Sequence, residues 1–485
     1  MPNMLPTIEE EGKLSWLRLM WRYRLQFQSM ASASIIFVGC GMRLAWSIFD
    51  TPAGKFLNNN NTHNLMMSWF IGAALGAILA ALFVQRVTKN VAYISSGFLL
   101  ILAGILTVTS LPQHFLAACY SSVGIGAAYG LTQIQALITG SEVAHKSIRG
   151  MLVSCERIFL WLGVCVQVFY TRVWRNLEPL ESQGYGLQVD QLHGVALAGL
   201  GLGAVFLALS HRLESPLLLL HQERDMAVGE TLKALHGQSS TELVRLREDC
   251  RQLHSARDWE RFVEEPEESE AGWRPWARRV LPFLKVLLLR CFATMAISLS
   301  YNRAFLVVSW HGLECDMNCL YWLAFAGLFG SVVGAFVVDW QGRSKLCSLS
   351  LFLAGIVIVM VGGVFEHLES VKKTFYDINL QAIALLMLLF EVIVAGGVAI
   401  PALVYTSEAF SIAHKARCLA GVLILEQLLQ LGLLLATFQH CITVSVFFFT
   451  IGGLSFVVGL TVFMLLPETK QLTLYECLLK FKKVP

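Results

Sequence analysis

Val338-Asp339-Trp340-Gln341-Gly342-Arg343-Ser344-Lys345 is the stretch on which the reading of this chain turns. It follows an apolar run at 320–338 and precedes another at 346–364. A membrane helix needs about 20 mostly apolar residues, so the stretch reads as a very short charged turn between two spans. Gly342 stops the first helix. Arg343 and Lys345 hold the turn on the cytoplasmic side. An acid and two bases at helix ends can also clamp neighbouring helices in one conformation and release them in another.

The rest of the chain agrees with a membrane reading. Of 485 residues, 55% are hydrophobic and 15% charged, where a soluble chain carries roughly a quarter charged residues. About twelve runs are long and apolar enough to span a bilayer. They fall at 30–48, 65–84, 91–110, 115–138, 151–170, 195–210, 280–310, 320–338, 346–365, 382–405, 418–438 and 443–466. The 12 cysteines are scattered without metal-ligand spacing. Cys315 and Cys319 share a short, external loop in this reading, which allows a disulfide. The polar, basic N-terminus does not resemble a cleaved signal peptide. No nucleophile–base pair and no phosphate loop stands out, which argues against an enzyme, and no residue pattern calls for a cofactor, a metal or nucleic acid.

Residues 212–280 are of different composition, with 14 acidic and 11 basic residues, too many for a bilayer span. They read as a cytoplasmic linker, with a helix at 241–253 from its apolar spacing and a solvated acidic run at 264–270. On either side the loops repeat a grammar. Glu142 is followed by Lys146 and Arg149, and Glu408 by Lys415 and Arg417. An internal repeat of this kind is what a two-bundle transporter carries in sequence. Basic residues concentrate in alternate loops, placing both termini in the cytoplasm. The sequon Asn60-Asn61-Thr62 falls in the first external loop, a candidate glycosylation site at Asn60.

The motifs resemble those of the sugar-porter branch of the major facilitator superfamily, which includes the facilitative glucose transporters. Asp339-Trp340-Gln341-Gly342-Arg343-Ser344-Lys345 is similar to its D-R-x-G-R-R loop. Gln85-Arg86-Val87-Thr88-Lys89 occupies the equivalent place in the first half, with Gln85 in place of the acid. Glu142 and Arg149 match the E-x-x-P-x-x-x-R-G loop without its Pro. Glu214-Ser215-Pro216 matches the core of P-E-S-P-R, and Leu232-Lys233-Ala234-Leu235-His236-Gly237 resembles L-x-x-L-R-G. Pro467-Glu468-Thr469-Lys470-Gln471-Leu472-Thr473-Leu474 matches P-E-T-K-G-x-T-L closely and is the most specific of these.

The resemblance implies an all-α membrane protein of twelve transmembrane helices in two six-helix bundles. The expected divisions are a cytoplasmic segment 1–29, bundles 30–211 and 280–466, a linker 212–279 and a tail 467–485. It implies a cytoplasmic gate of ion pairs among Glu142, Arg149, Glu214, Asp339, Arg343, Glu408 and Lys415 or Arg417. The family's span-four arginine is Ser122 here. Loss of that base and of the acid at Gln85 is expected to weaken the gate.

The family's neutral sugar-binding cup is largely replaced. Its span-five glutamine falls on Arg157, its span-seven amides on Ile297, Ser298 and Arg303 (Asn302 with a one-residue shift), and two span-eleven asparagines on Glu426 and Gln430. Arg43, Glu156 and Glu391 also lie inside spans. Each such charge costs at least ~2.5 kcal/mol at mid-bilayer, so each should face protein or water. Three readings follow: a charged cavity for an anionic or zwitterionic solute, mutual neutralisation such as Arg157 with Glu426 or Glu156, or a transport-inactive receptor or regulator. The expectation is a monomeric plasma-membrane solute transporter working by alternating access, carbohydrate-like in family but with an atypical charged cavity.

Overall fold

The computed structural model describes residues 20–47, 60–84, 86–110, 115–175, 189–211, 213–236, 244, 246–253, 273–298, 318–371, 379–412, 414–438 and 444–482. All regular structure among them is helical. The first set is α1 (Arg24–Ser29), α2 (Ala31–Ala45), α3 (Asn60–Phe83), α4 (Lys89–Ser110), α5 (Phe115–Val143), α6 (Arg149–Arg175) and α7 (Val189–Ser210). Two short helices follow, α8 (Pro216–His221) and α9 (Asp225–His236). The second set is α10 (Trp273–Ser298), α11 (Asn318–Gln341), α12 (Arg343–Val371), α13 (Asn379–Val394), α14 (Ile400–Glu408), α15 (Lys415–Phe438) and α16 (Val444–Leu465), closed by α17 (Leu474–Lys482). A π-helical turn, Ala395–Ala399, joins α13 to α14. Pro401 lacks a backbone N–H just after it, which makes a regular i to i−4 ladder impossible there.

Among the described residues, ten helices are long and apolar enough to cross a membrane. The sequence expects twelve spans; the other two are Ala31–Ala45, which is shorter, and α5, which carries Ser121, Ser122, Thr132, Gln133 and Gln135 on its buried side. The outer surfaces are apolar, with Leu82, Phe98, Leu102, Phe206, Phe325 and Phe463 all exposed. Side chains of this kind are stable facing lipid, and would be a contiguous liability in water.

Within each set the helices pack on one another: α3 on α5, α4 on α7, α2 on α6, then α12 on α16, α10 on α15 and α11 on α13. The two sets meet along two seams, α6 against α11 and α14, and α15 against α3 and α5. On the first seam the fully buried Trp161 of α6 lies where a side chain on Gly327 of α11 would stand. A small residue there lets the two sets approach closely.

The predicted helix boundaries differ from the observed ones mainly by extension. The span predicted from 280 begins at Trp273, and its predicted end beyond Ser298 lies outside the described residues. Asn60, expected in a loop, is the first residue of α3. In the linker, residues 246–253 are helical apart from undescribed neighbours, while the acidic run 264–270 and the Cys315 of the proposed disulfide lie outside the described residues. The linker is tied to the bundle ends. Leu217, Leu220, Val228, Leu232 and Leu253 form an apolar cluster with Ile412 and Leu474. Gln26 accepts from the His145 N–H at 2.9 Å and donates to the Leu235 carbonyl at 3.1 Å, joining α1, α9 and the α5–α6 turn.

Candidate functional site: two ion clusters and a buried polar centre

The charged turns all fall at one end of the helices, and the structure gathers them into two clusters. The first is centred on Glu408, at the end of α14 and fully buried. Its two oxygens accept from Arg149 at 3.2 Å and from Arg343 at 3.0 Å. Arg149 begins α6 in one set of helices and Arg343 begins α12 in the other, so one carboxylate holds both. Arg343 also donates to the Thr469 hydroxyl at 2.8 Å and to its carbonyl. Arg149 donates to the Leu472 carbonyl at 3.1 Å.

Asp339 makes the second link across the sets. Its carboxylate accepts from the backbone N–H groups of Gly150 at 3.1 Å and Met151 at 2.9 Å, and faces Arg343 at 3.5 Å. The first N–H groups of a helix have no partner within it, and the helix dipole favours an anion there. Asp339 therefore caps α6 from the neighbouring set. The cap explains Gly150, since a Cβ at that position would collide with the Asp339 carboxylate. Glu468 does the same for α12, accepting from the N–H groups of Arg343 at 3.1 Å and Ser344 at 3.2 Å. Gly342, with φ +99, makes the turn that brings those groups round.

The second cluster is built on Glu142, at the end of α5. Its carboxylate accepts from Ser215 at 2.5 Å and faces the Lys415 ammonium at 3.8 Å. Lys415, buried at the start of α15, donates to Ser141 at 2.6 Å. Glu214 lies against the start of α4. Burial pushes its carboxyl above the usual range, against the pull of the Lys89 ammonium and backbone N–H. Arg417 is exposed and is not brought into either cluster.

The two clusters repeat one pattern at identical spacing. Lys89 follows Gln85 as Arg343 follows Asp339, by four residues. Arg149 follows Glu142 as Lys415 follows Glu408, by seven. Glu214-Ser215 corresponds to Glu468-Thr469. Glu468 and Thr469 were read only as a motif, and Lys89 only as a loop base. The signal that would have found them is this shared register.

The middle of the molecule holds a different chemistry. Arg157 and Glu156, both buried on α6, lie 3.7 Å apart. Glu156 also accepts from the Tyr129 hydroxyl at 2.7 Å and the Gln133 amide at 3.3 Å, both on α5. Glu426 on α15 pairs with Arg290 on α10 at 2.5 Å. Of the two pairings open to Arg157, the one with Glu156 is formed, while Glu426 pairs instead with Arg290, a buried charge the sequence reading passed over. Glu156, Arg157 and Glu426 all lie within electrostatic reach of Tyr129. Gln430 donates to the Thr294 carbonyl at 3.3 Å. Ser298 donates to the carbonyl of Met295 in its own helix, which leaves its hydroxyl occupied locally. Arg303 and Asn302 lie outside the described residues. Glu391 is fully buried in α13.

At the far end of α5, Arg43 reaches over from α2. It donates to the Ser122 hydroxyl at 3.0 Å and the Ala118 carbonyl at 2.7 Å, and its guanidinium lies 4.1 Å from the centre of the Trp46 ring. The basic group missing from position 122 is thus supplied by the neighbouring helix. Ser122 stands beside Arg43 at the end of α5 opposite the charged turns. Twenty residues of α5 separate Ser122 from Glu142, about 30 Å at 1.5 Å per residue.

A family model described as sugar (and other) transporter matches residues 50–481. The arabinose-proton symporter of Escherichia coli K12 is 23% identical over 312 residues, 61% of this chain and 59% of the symporter, so the chain spans less than two thirds of that relative's length. Among solved structures, a double-Trp mutant of XylE from E. coli superposes with a TM-score of 0.74 at 17% identity, covering 94% of this chain and 99% of that one. XylE, a major facilitator proton:xylose symporter, bound to 6-bromo-6-deoxy-D-glucose gives 0.70 at 15% identity, covering 94% and 98%. At such identities these structures speak for the fold: an all-helical membrane protein of the major facilitator type. With the family model covering most of its length, the chain belongs to the sugar transporter family.

Proposed function

We propose that this protein is a solute transporter working by alternating access, with the two ion clusters as the gate that closes its cytoplasmic side. The observation that carries the reading is the sharing of Glu408 by Arg149 and Arg343. Three links at this end cross between the two sets of helices: Arg149 to Glu408, Asp339 to the start of α6, and Lys415 to Glu142 and Ser141. Breaking a buried pair by removing one partner costs about 3–5 kcal/mol. A set of such links released together makes a two-state element rather than a hinge that drifts. On this reading both termini are cytoplasmic, and the plasma membrane is the expected site.

The transported solute is proposed to be small, polar and without net charge: a carbohydrate first, a zwitterion second. What supports this is the balance of the central charges, Arg157 with Glu156 and Arg290 with Glu426, which leaves little for an organic anion to neutralise. The Gln133 amide oxygen is buried beside Glu156 and has no hydrogen-bond partner among the described residues. A solute hydroxyl or ammonium would satisfy it, where an anion would not. The relatives are named for arabinose, xylose and glucose.

The test is uptake into proteoliposomes with a neutral hexose or pentose, a monocarboxylate and a zwitterion side by side. Saturable uptake of the sugar or the zwitterion, abolished in Arg290→Ala, is the expected result. Saturable uptake of the carboxylate alone would overturn the substrate reading. Uptake of none, by folded protein, would favour a receptor or regulator.

A further inference from the structure

The two clusters share one register, but they do not hold the same charges. The first contains three carboxylates, Asp339, Glu408 and Glu468, with Arg149 and Arg343. The second contains Glu142, Glu214, Lys89 and Lys415 and is one carboxylate short. The missing one corresponds to Asp339. In sequence that place is Gln85, which carries no charge and lies outside the described residues.

Asp339 satisfies three groups: two N–H groups in the first turn of α6 and the guanidinium of Arg343. Their counterparts are the first-turn N–H groups of α15, at Ala416 and Arg417, and the ammonium of Lys89. Lys89 is 2% exposed, and its ammonium makes no hydrogen bond among the described residues. A cavity stands at this point, lined by Lys89, Lys415, Ala416, Glu142 and Glu214 among others. So the second cluster has a buried cation that faces Glu214 but makes no hydrogen bond among the described residues, a helix N-terminus and a cavity between them.

We propose that this cavity binds a small oxyanion, a carboxylate or phosphate group, which takes the place of the missing carboxylate and ties α15 to α4. A helix N-terminus and an adjacent ammonium are complementary to such a group. The two carboxylates in the wall do not forbid it. Glu142 is already engaged by Ser215 and Lys415, Glu214 takes the Lys89 backbone N–H and is shifted by burial toward its neutral form, and the first cluster accommodates a third carboxylate against the same number of bases. The bound oxyanion adds a link between the two sets of helices and so favours closure at this end. The closure part rests on the gate reading above; the binding part does not.

The same chemistry can come from free anion or from a phospholipid headgroup, and the experiment separates them. The full chain in nanodiscs of neutral lipid is titrated with inorganic phosphate while its unfolding temperature is followed. The wild type should be stabilised with a saturable dependence. Loss of a charge-assisted hydrogen bond should weaken the apparent phosphate affinity of Lys89→Gln by about tenfold or more. Gln85→Asp should raise the starting stability and abolish the response, because the carboxylate is then built in. Nanodiscs with anionic lipid that are already stabilised, and insensitive to phosphate, would support the site with lipid as the source. No response of the wild type in either lipid, or an undiminished response in both variants, would overturn the proposal. Stabilisation by phosphate without reduced labelling of a cysteine at the cytoplasmic mouth would keep the site and reject the gate.

Discussion

The two ion clusters are the same arrangement built twice, and only one is complete. In the first, Glu408 lies between two arginines and Asp339 caps a helix of the opposite set. In the second, Glu142 faces a lysine at 3.8 Å and the capping acid is absent. Arginine forks make several directed hydrogen bonds where a lysine makes a point contact. The comparison teaches that the hold between the two sets at this end is asymmetric: the α6–α11 seam is joined by several directed bonds and the α5–α15 contact by a lysine alone.

If that is right, Glu408→Gln should have the largest effect. It leaves Arg149 and Arg343 buried beside a neutral amide, at a cost of about 3–5 kcal/mol. Thermal unfolding in detergent should show it directly, and uptake should fall with it. Gly150→Ala comes next. The added methyl displaces the Asp339 carboxylate from the start of α6, costing about 1–3 kcal/mol, and the loss should shrink when Asp339→Ala is already present. A double-mutant cycle measures that coupling. Lys415→Gln should be mildest, at about 1 kcal/mol, because an amide can still donate to Ser141 and Ser215 still holds Glu142. An effect of Lys415→Gln equal to that of Glu408→Gln would mean the seams are equally locked.

Sequence showed the fold and the end at which the charges cluster well, because charges in short turns between apolar runs have few other uses. Asp339, Arg343, Arg149 and Glu408 meet in one cluster and Glu142 and Lys415 in the other, at the end where their turns lie. Arg417 does not, since one residue at a helix start decides whether a side chain faces inward, and two positions separate it from Lys415. Lys89 was read only as a loop base because Gln85 and Thr88 break the motif around it, although its spacing from position 85 is intact. The centre was much less legible. Arg157 lies where the family resemblance placed a contact, and the sequence left its partner open between Glu426 and Glu156; the structure pairs it with its neighbour Glu156. Arg290 pairs with Glu426 across two helices far apart in sequence, and nothing in either run announces the other. Arg43 shows the same limit: a base lost from one helix returned from another, which a position-by-position comparison cannot see.

The central claim is that these clusters hold the two sets of helices together at one end. It is tested most directly by the distance between spin labels at Arg86→Cys and Trp340→Cys, exposed positions at that end in opposite sets. In the wild-type background the account predicts a population dominated by one short distance. Arg343→Glu places a carboxylate against Glu408 and Asp339 and should move most of that population to a longer distance. A distribution unchanged by Arg343→Glu, in protein that remains folded, would contradict the account.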